Sequence, residues 1–271
     1  RSPSRGLGDV YKRQVGHQAR KRFGQNFLHD EAVIDQIISG INPRPGDRIV
    51  EIGPGLGALT EPLLEANEGK LQVVELDRDL IPILRTKFFN YPDFIIHESD
   101  ALKFDFDSLA DESHRLRIVG NLPYNISTPL IFHLLESIEN LQDMHFMLQK
   151  EVVERMAAVP GTSHYGRLGI MTQYYCKVQP LFIVGPEAFD PAPKVESAIV
   201  RLIPHKTLPY PVESLERLQM LVRVAFTKRR KTLRNAMQGV VEPEAFEALN
   251  IDVTLRPENL SLEQYTQLSN W

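Results

Sequence analysis

The chain is poor in cysteine and in long apolar segments, and each absence excludes a class of protein. Cys176 is the only cysteine in 271 residues, which excludes an internal disulfide and a cysteine-based zinc site. The eight histidines show no metal-ligand spacing, so no metal is expected. No apolar run reaches the roughly 20 residues that span a bilayer, so no membrane segment is expected. No apolar segment follows the basic residues near the N-terminus, so no secretory signal is expected, and we predict a cytoplasmic protein.

The net charge of −4 does not point to a nucleic-acid partner, so the distribution of charge matters more than its sum. From Leu221 to Val241 the chain has no acidic residue. Its basic residues there are Arg223, Lys228, Arg229, Arg230, Lys231 and Arg234. Arg20–Arg22 form a second basic cluster. Taken alone, each cluster fits a solvated basic face as well as it fits an RNA contact.

The order of apolar patterns predicts an α/β domain over residues 16–203. The predicted buried strands are Ile49–Ile52, Leu71–Glu75, Phe94–His97, Leu116–Gly120 and Met144–Gln149. Helical spacing lies between them at Leu59–Ala66, Asp79–Phe88 and Pro129–Ser137, the last with Thr128 as its expected N-cap. Such alternation favours a parallel, doubly wound sheet. Tyr174–Val178 and Ser197–Leu202 are expected to add strands at the edge of that sheet.

The two ends of the chain differ from this pattern. Residues 1–15 lack a starting Met and any apolar period, and we interpret them as a non-native or disordered extension. Residues 204–211 hold three prolines and no helical period, which predicts a linker. Every segment of residues 212–271 has a helical pattern, so we predict a small helical domain. A monomer is expected.

A glycine-rich loop, Gly53–Ala58, follows the first predicted strand and opens a helix. It satisfies the dinucleotide pattern, with Glu75 about twenty residues further on, so NAD must be considered. Pro54 lacks an N–H that a pyrophosphate would need, and Glu51 adds a carboxylate close by. These two residues favour S-adenosylmethionine, a cationic ligand without phosphate. Asp100, after the third strand, suits the cofactor's adenine, although a helix cap is an equal alternative for it.

The segment Asn121–Tyr124 stands at the tip of a buried strand and suits a flat base with an exocyclic amine. The Asn121 side-chain oxygen and the Leu122 carbonyl can each accept one N–H of that amine. Pro123 stiffens the turn. The Tyr124 ring can stack on the base, which is worth roughly 1–3 kcal/mol. Taken alone, this segment fits an ordinary strand end and turn equally well.

Together these motifs resemble the ribosomal RNA adenine dimethyltransferase family, and most closely its small-subunit branch. Other segments that match the family pattern are Arg22–Leu28, Tyr165–Leu168, Phe189–Ser197 and Lys228–Asn235. The resemblance covers nearly everything from about Gly16 onward. It implies a Rossmann-like class I methyltransferase sheet with a small helical C-terminal domain, and methyl transfer from S-adenosylmethionine to adjacent adenosines of small-subunit rRNA or of its precursor particle.

The resemblance also implies roles for individual residues. The residues expected to bind the cofactor are Gln25, Asn26, Leu28, Gly53, Gly55, Glu75, Asp100 and Asn121, with Glu51 close by. Phe189 is expected to hold the base against Tyr124, although from the sequence alone it fits a core phenylalanine better. Arg22 and the basic residues from Arg223 to Arg234 are expected to bind RNA.

Three alternatives remain open. The large-subunit rRNA methylases that confer antibiotic resistance share the fold and the chemistry. A non-catalytic RNA-binding assembly factor would be expected to show erosion of the glycine loop or of Asn121–Tyr124, and neither is eroded. An NAD oxidoreductase leaves Asn121 and the basic segment without a role.

Overall fold

A mainly parallel sheet forms the centre of the structure, a computed structural model that describes residues 25–271. The strands of this part of the chain are β1 (Phe27–Leu28), β2 (Arg48–Ile52), β3 (Leu71–Glu75), β4 (Phe94–Glu98), β5 (Leu116–Asn121), β6 (Leu141–Gln149), β7 (Cys176–Val184), β8 (Phe189–Asp190) and β9 (Ser197–Pro204). The helices are α1 (Glu31–Ile41), α2 (Thr60–Ala66), α3 (Leu80–Lys87), α4 (Ser127–Leu135), α5 (Lys150–Met156), α6 (Arg167–Tyr175), α7 (Leu215–Thr227), α8 (Leu233–Ala236), α9 (Pro243–Ala248) and α10 (Leu262–Asn270).

The strand order β4-β3-β2-β5-β6-β9-β7 reverses direction between β2 and β5. The pairs β2–β3, β2–β5, β3–β4 and β5–β6 are parallel, and β9 runs antiparallel to β6. Ligands of open α/β sheets bind at such a reversal, outside the carboxyl ends of the strands. The topology therefore places the loops after β2 and β5 together, and it confirms the predicted doubly wound sheet.

The central strands β2 and β5 are largely buried on both faces because most of their side chains are apolar. Val50, Ile118 and Val119 are all fully buried. Gly120 is required at the end of β5, because a Cβ there would lie 2.5 Å from the carbonyl oxygen of Ile52 on the neighbouring strand. Close approach of these two strands brings their carboxyl ends side by side.

Two local expectations were wrong, and one helix was missed. Helix α4 begins at Ser127, one residue before the expected cap Thr128, and Ile126 occupies the N-cap position without a side-chain hydrogen bond. Residues 174 and 175 end helix α6, and the strand that follows runs to Val184 instead of ending at Val178. Helix α1 was not predicted, although Asp30 caps it by accepting a hydrogen bond from the Val33 N–H.

The chain divides into two compact units. One comprises the described residues up to Val153 together with Gln179–Ile203, and it holds the sheet. The other comprises Glu154–Val178 and Pro204–Trp271 and is mainly helical. The second unit therefore includes Glu154–Val178, which the sequence predicts as part of the α/β domain. The reason is that α6 packs against α7 and α10, contacts that only the tertiary fold creates.

Candidate active site

A pocket opens at the carboxyl ends of β2, β3 and β5, where the sequence predicts a cofactor and a base. Its lining includes every predicted cofactor residue and the whole of Asn121–Tyr124. The lining residues that were predicted from the sequence are Gln25, Asn26, Leu28, Glu51, Gly53, Gly55, Glu75, Asp100, Asn121, Leu122, Pro123 and Tyr124. The structure therefore brings together side chains from five separate segments of the chain.

The segment Gln25–Leu28 covers one side of this pocket. The Gln25 amide donates a hydrogen bond to the carboxylate of Asp77 (2.9 Å), just beyond the end of β3. Phe27 lies over Gly55, which has a φ of +60°, and a Cβ on that glycine would lie 3.1 Å from the Phe27 ring. Only glycine combines this conformation with so close a neighbour. The segment thus packs directly on the glycine loop.

Asn121 has a defined orientation. Its side-chain N–H donates to the backbone carbonyl of Asn26 at 3.2 Å. Because an amide has one donor end and one acceptor end, this contact leaves the Asn121 oxygen as the acceptor. The adjacent Leu122 N–H donates to the Met147 carbonyl (3.2 Å), which fixes the tip to β6. The acceptor that the sequence assigns to Asn121 is therefore available for an amine.

Tyr124 is half-buried and is held at two points. Its hydroxyl lies 2.6 Å from the Oγ of Ser197, and its carbonyl accepts a hydrogen bond from the Ser127 hydroxyl at 3.3 Å. Burial raises the pKa of the Tyr124 phenol, although the hydrogen bond to Ser197 lowers it. The phenol therefore stays neutral near pH 7, and the ring keeps an apolar surface facing the pocket.

Glu51 and Glu75 are buried carboxyls at the floor of the pocket. The pKa of Glu51 is raised to about 8, mainly by burial and also by the nearby Glu75, while a hydrogen bond from Thr60 lowers it. Burial raises the pKa of Glu75 to about 7, while hydrogen bonds from backbone N–H groups, the first from Asp77, lower it. Two acidic groups in so apolar a place favour a ligand that brings positive charge or hydroxyl donors.

Asp100 and two leucines form the far side of the pocket. Asp100 Oδ1 accepts a hydrogen bond from the Leu102 N–H (3.0 Å), so the carboxylate caps a turn, and no helix begins there. Its contact with the cofactor's adenine stays a prediction. Sequence reasoning missed Leu76 and Leu102 as lining residues. Leu76 is 49% exposed although it follows a buried strand. An apolar residue directly after an acidic strand end is the sequence signal that could have identified this wall.

Together these residues fit S-adenosylmethionine. Glu75 offers carboxylate oxygens for ribose hydroxyls, and the exposed Leu76 offers an apolar surface for a purine. Glu51 is a buried acid whose ionised form a cationic ligand would stabilise. Nothing in the loop replaces the N–H that Pro54 lacks, so a pyrophosphate fits the same loop less well.

Phe189 does not line the pocket. Its ring is buried, 3% exposed, in the hydrophobic core with Leu28 and Ile199. It belongs to β8, which pairs with β1 so that Phe189 lies opposite Leu28. This placement matches the core phenylalanine that the sequence alone favours. Stacking of Phe189 on a base stays a prediction.

The predicted RNA-binding residues differ in how they are engaged. Arg223, Lys228, Arg230, Lys231 and Arg234 are exposed. Arg229 donates hydrogen bonds to the carbonyls of Thr162 and Ser163 and forms an ion pair with Glu258 at 3.2 Å. Its guanidinium is thus committed to holding the helical unit together. Arg22 lies outside the described residues.

Comparison with known proteins places these observations in a family. The model described as "Ribosomal RNA adenine dimethylase" matches residues 16–271. A protein named "Ribosomal RNA small subunit methyltransferase A" from Marinobacter nauticus is 68% identical over 94% of this chain and 92% of its own length. The protein of the same name from Vibrio cholerae is 57% identical over 95% of this chain and 94% of its own.

Two solved structures share the architecture over most of the chain. A dimethyladenosine transferase from Plasmodium falciparum is 28% identical with a TM-score of 0.77, covering 89% of this chain and 95% of that one. The 23S rRNA methyltransferase ErmE is 25% identical with a TM-score of 0.68, covering 90% and 98%. Both similarities extend well beyond the sheet-containing unit, since they cover about nine-tenths of the chain.

Proposed function

Because the chain belongs to the ribosomal RNA adenine dimethylase family, we propose that it transfers methyl groups from S-adenosylmethionine to the exocyclic amines of adjacent adenosines in small-subunit rRNA, giving dimethyladenosine during ribosome biogenesis. The enzyme acts as a monomer in the cytoplasm, on the rRNA or on a precursor of the small subunit. The observation that carries the proposal is the oriented amide of Asn121 at the tip of β5, beside a pocket that fits the cofactor.

Asn121 and Leu122 carry the chemistry. When bound, S-adenosylmethionine supplies an electrophilic methyl group on its sulfonium. The Asn121 oxygen and the Leu122 carbonyl accept the two amine hydrogens and so aim the nitrogen lone pair into the pocket. They also stabilise positive charge as it develops on that nitrogen. Neither group is a base, and none is needed before attack, because the nitrogen gains the methyl group first and then releases one proton to solvent. Positioning of this kind can supply about 7–11 kcal/mol.

The remaining pocket residues position the base. The target adenosine must leave its stack to reach the strand tip. Tyr124 then offers its ring for stacking, and Pro123 restrains the turn that carries it. Because Asn121 presents a small amide oxygen and no second ring, a monomethylated amine can return to the same place for the second transfer.

Sequence similarity favours the small-subunit substrate over the large-subunit one. Relatives with the small-subunit name are 57–68% identical to the chain over nearly all of their length. The 23S enzyme is 25% identical. An oxidoreductase role has no support in the pocket, where Pro54 and Glu51 disfavour a pyrophosphate. The intact glycine loop and tip likewise give no support to a purely RNA-binding factor.

The test is transfer of labelled methyl from S-adenosylmethionine to unmodified small-subunit particles, with large-subunit RNA in parallel and nucleosides analysed by mass. The proposal predicts dimethyladenosine in the small-subunit sample alone. Label confined to large-subunit RNA would assign the protein to the resistance branch. Binding of cofactor and RNA without transfer to either sample would support the assembly-factor alternative.

A further inference from the structure

Ser197 is the residue outside the predicted catalytic set that contacts Tyr124 most closely. Its Oγ lies 2.6 Å from the Tyr124 hydroxyl, 73 residues away in sequence. Ser197 is fully buried, so water does not compete for this contact. It is the first residue of β9 and pairs with Gln149 at the end of β6. Because β9 runs antiparallel to β6, its start lies at the edge of the sheet that carries the pocket.

Tyr124 is held at its backbone and at the tip of its side chain. The Ser127 hydroxyl donates to its backbone carbonyl, and Ser197 contacts the hydroxyl at the far end of the ring. A phenol that keeps its proton can donate to the Ser197 oxygen, and burial raises the pKa of this phenol. The position of the ring is therefore restrained before any base arrives, and binding a base then costs less ordering of the side chain.

We infer that Ser197 is a positioning residue for base stacking: its hydroxyl holds the tip of the Tyr124 ring and so fixes where the ring on which the target adenine stacks lies. The inference rests on the proposed function and adds a residue to its machinery. It also gives the Tyr124 hydroxyl a role that stacking alone does not require. The loss of one such hydrogen bond is expected to lower single-turnover methyl transfer by about 2- to 10-fold.

A double-mutant cycle tests this assignment. Ser197→Ala and Tyr124→Phe each remove one end of the contact, so each should slow transfer to small-subunit particles and the double variant should be no slower than either. Affinity for S-adenosylmethionine should stay within about 2-fold of wild type, since neither group is assigned to the cofactor. Multiplying effects in the double variant would overturn the inference.

Ser127→Ala is the matched control, because this buried serine contacts the backbone of Tyr124 and not its ring. Its effect should multiply with that of Tyr124→Phe. Ser197→Thr keeps a hydroxyl at the same position and should restore transfer relative to Ser197→Ala. A threonine variant as slow as the alanine variant, with the same melting temperature as wild type, would contradict the assignment.

A measurement independent of catalysis separates this inference from the proposed function. In protein with ring-labelled tyrosine, the Cζ resonance of Tyr124 is the one that Tyr124→Phe removes. Ser197→Ala should move that resonance, whereas Ser127→Ala should move it much less. An unmoved resonance would refute the contact even in an active enzyme. Failure of methyl transfer by the wild-type protein would refute the function without affecting this result.

Discussion

The side-chain amide of Asn121 donates a hydrogen bond to the backbone carbonyl of Asn26 at 3.2 Å. The two residues are 95 positions apart, and both line the pocket. This contact decides which end of the amide faces the substrate. It also means that the N-terminal segment expected to bind the cofactor orients the catalytic side chain as well. Cofactor binding and orientation of the amine acceptor are therefore linked.

Asn121→Asp tests this link. A carboxylate keeps acceptor oxygens but cannot donate to the Asn26 carbonyl, so its orientation is lost. We expect single-turnover methyl transfer to fall by about 2- to 10-fold, the range for one hydrogen bond. Thermal unfolding of each variant serves as the control for folding. An aspartate variant as fast as wild type would mean that the contact with Asn26 does not matter for turnover.

Tyr124 should tolerate loss of its hydroxyl better than loss of its ring. Tyr124→Ala removes a stacking surface worth roughly 1–3 kcal/mol, so transfer should fall by about 5- to 150-fold. Tyr124→Phe keeps the ring and loses only the contact with Ser197, and its effect should be the smaller one. The measurement is kcat/KM on small-subunit particles. Equal losses in the two variants would show that stacking is the wrong account.

The exposed basic residues should contribute to RNA binding through phosphate contacts. Replacing Arg230 and Lys231 together by alanine should weaken RNA binding and reduce the slope of log K against log salt by about one unit per lost contact. An unchanged slope would assign these residues to a solvated face. Filter binding at several salt concentrations measures the slope.

Arg229 directly precedes Arg230 and Lys231 in the sequence, but its replacement should have a different effect. It forms an ion pair with Glu258 and hydrogen bonds with Thr162 and Ser163. Arg229→Ala should therefore lower the melting temperature and leave the salt slope close to that of wild type. A lowered slope with an unchanged melting temperature would show that the guanidinium contacts phosphate in the complex.

Glu51 should make the stability of the cofactor-free protein fall with rising pH. Burial raises its pKa from 4.5 to about 8, so the folded state holds a proton that the unfolded chain has lost. The stability that this proton contributes is fully present below about pH 4.5 and is lost as pH rises through about 8. Glu51→Gln cannot ionise and keeps an acceptor for Thr60.

The difference in melting temperature between Glu51→Gln and wild type should therefore grow from about pH 5 to about pH 9. Glu65→Gln, on the exposed face of the neighbouring helix α2, is the control and should show no such trend. If the melting temperatures of Glu51→Gln and wild type changed in parallel with pH, Glu51 would be ionised in the folded protein across this range.

The sequence predicts the sheet and the pocket because both depend on local patterns. Continuous apolar runs identify β2 and β5, and the glycine loop and the Asn121 tip directly follow them. Since the carboxyl ends of parallel strands lie at one edge of a sheet, the sequence alone predicts that these motifs lie close together.

The remaining features depend on tertiary contacts that no local pattern encodes. Asn26 reaches Asn121 across 95 residues, and Ser197 reaches Tyr124 across 73. Arg229 belongs to an acid-free segment, yet its partner Glu258 comes from a different part of the chain. Charge along the sequence therefore could not distinguish this arginine from its exposed neighbours.

The most direct test of the central claim compares wild type with Asn121→Ala in a single-turnover assay on small-subunit particles, with the affinity for S-adenosylmethionine measured in parallel. Removing an electrostatic contact to the reacting atom should slow transfer by about 100- to 1000-fold, while cofactor affinity falls only modestly. Near-wild-type transfer by Asn121→Ala would contradict the claim that the tip of β5 performs the methylation.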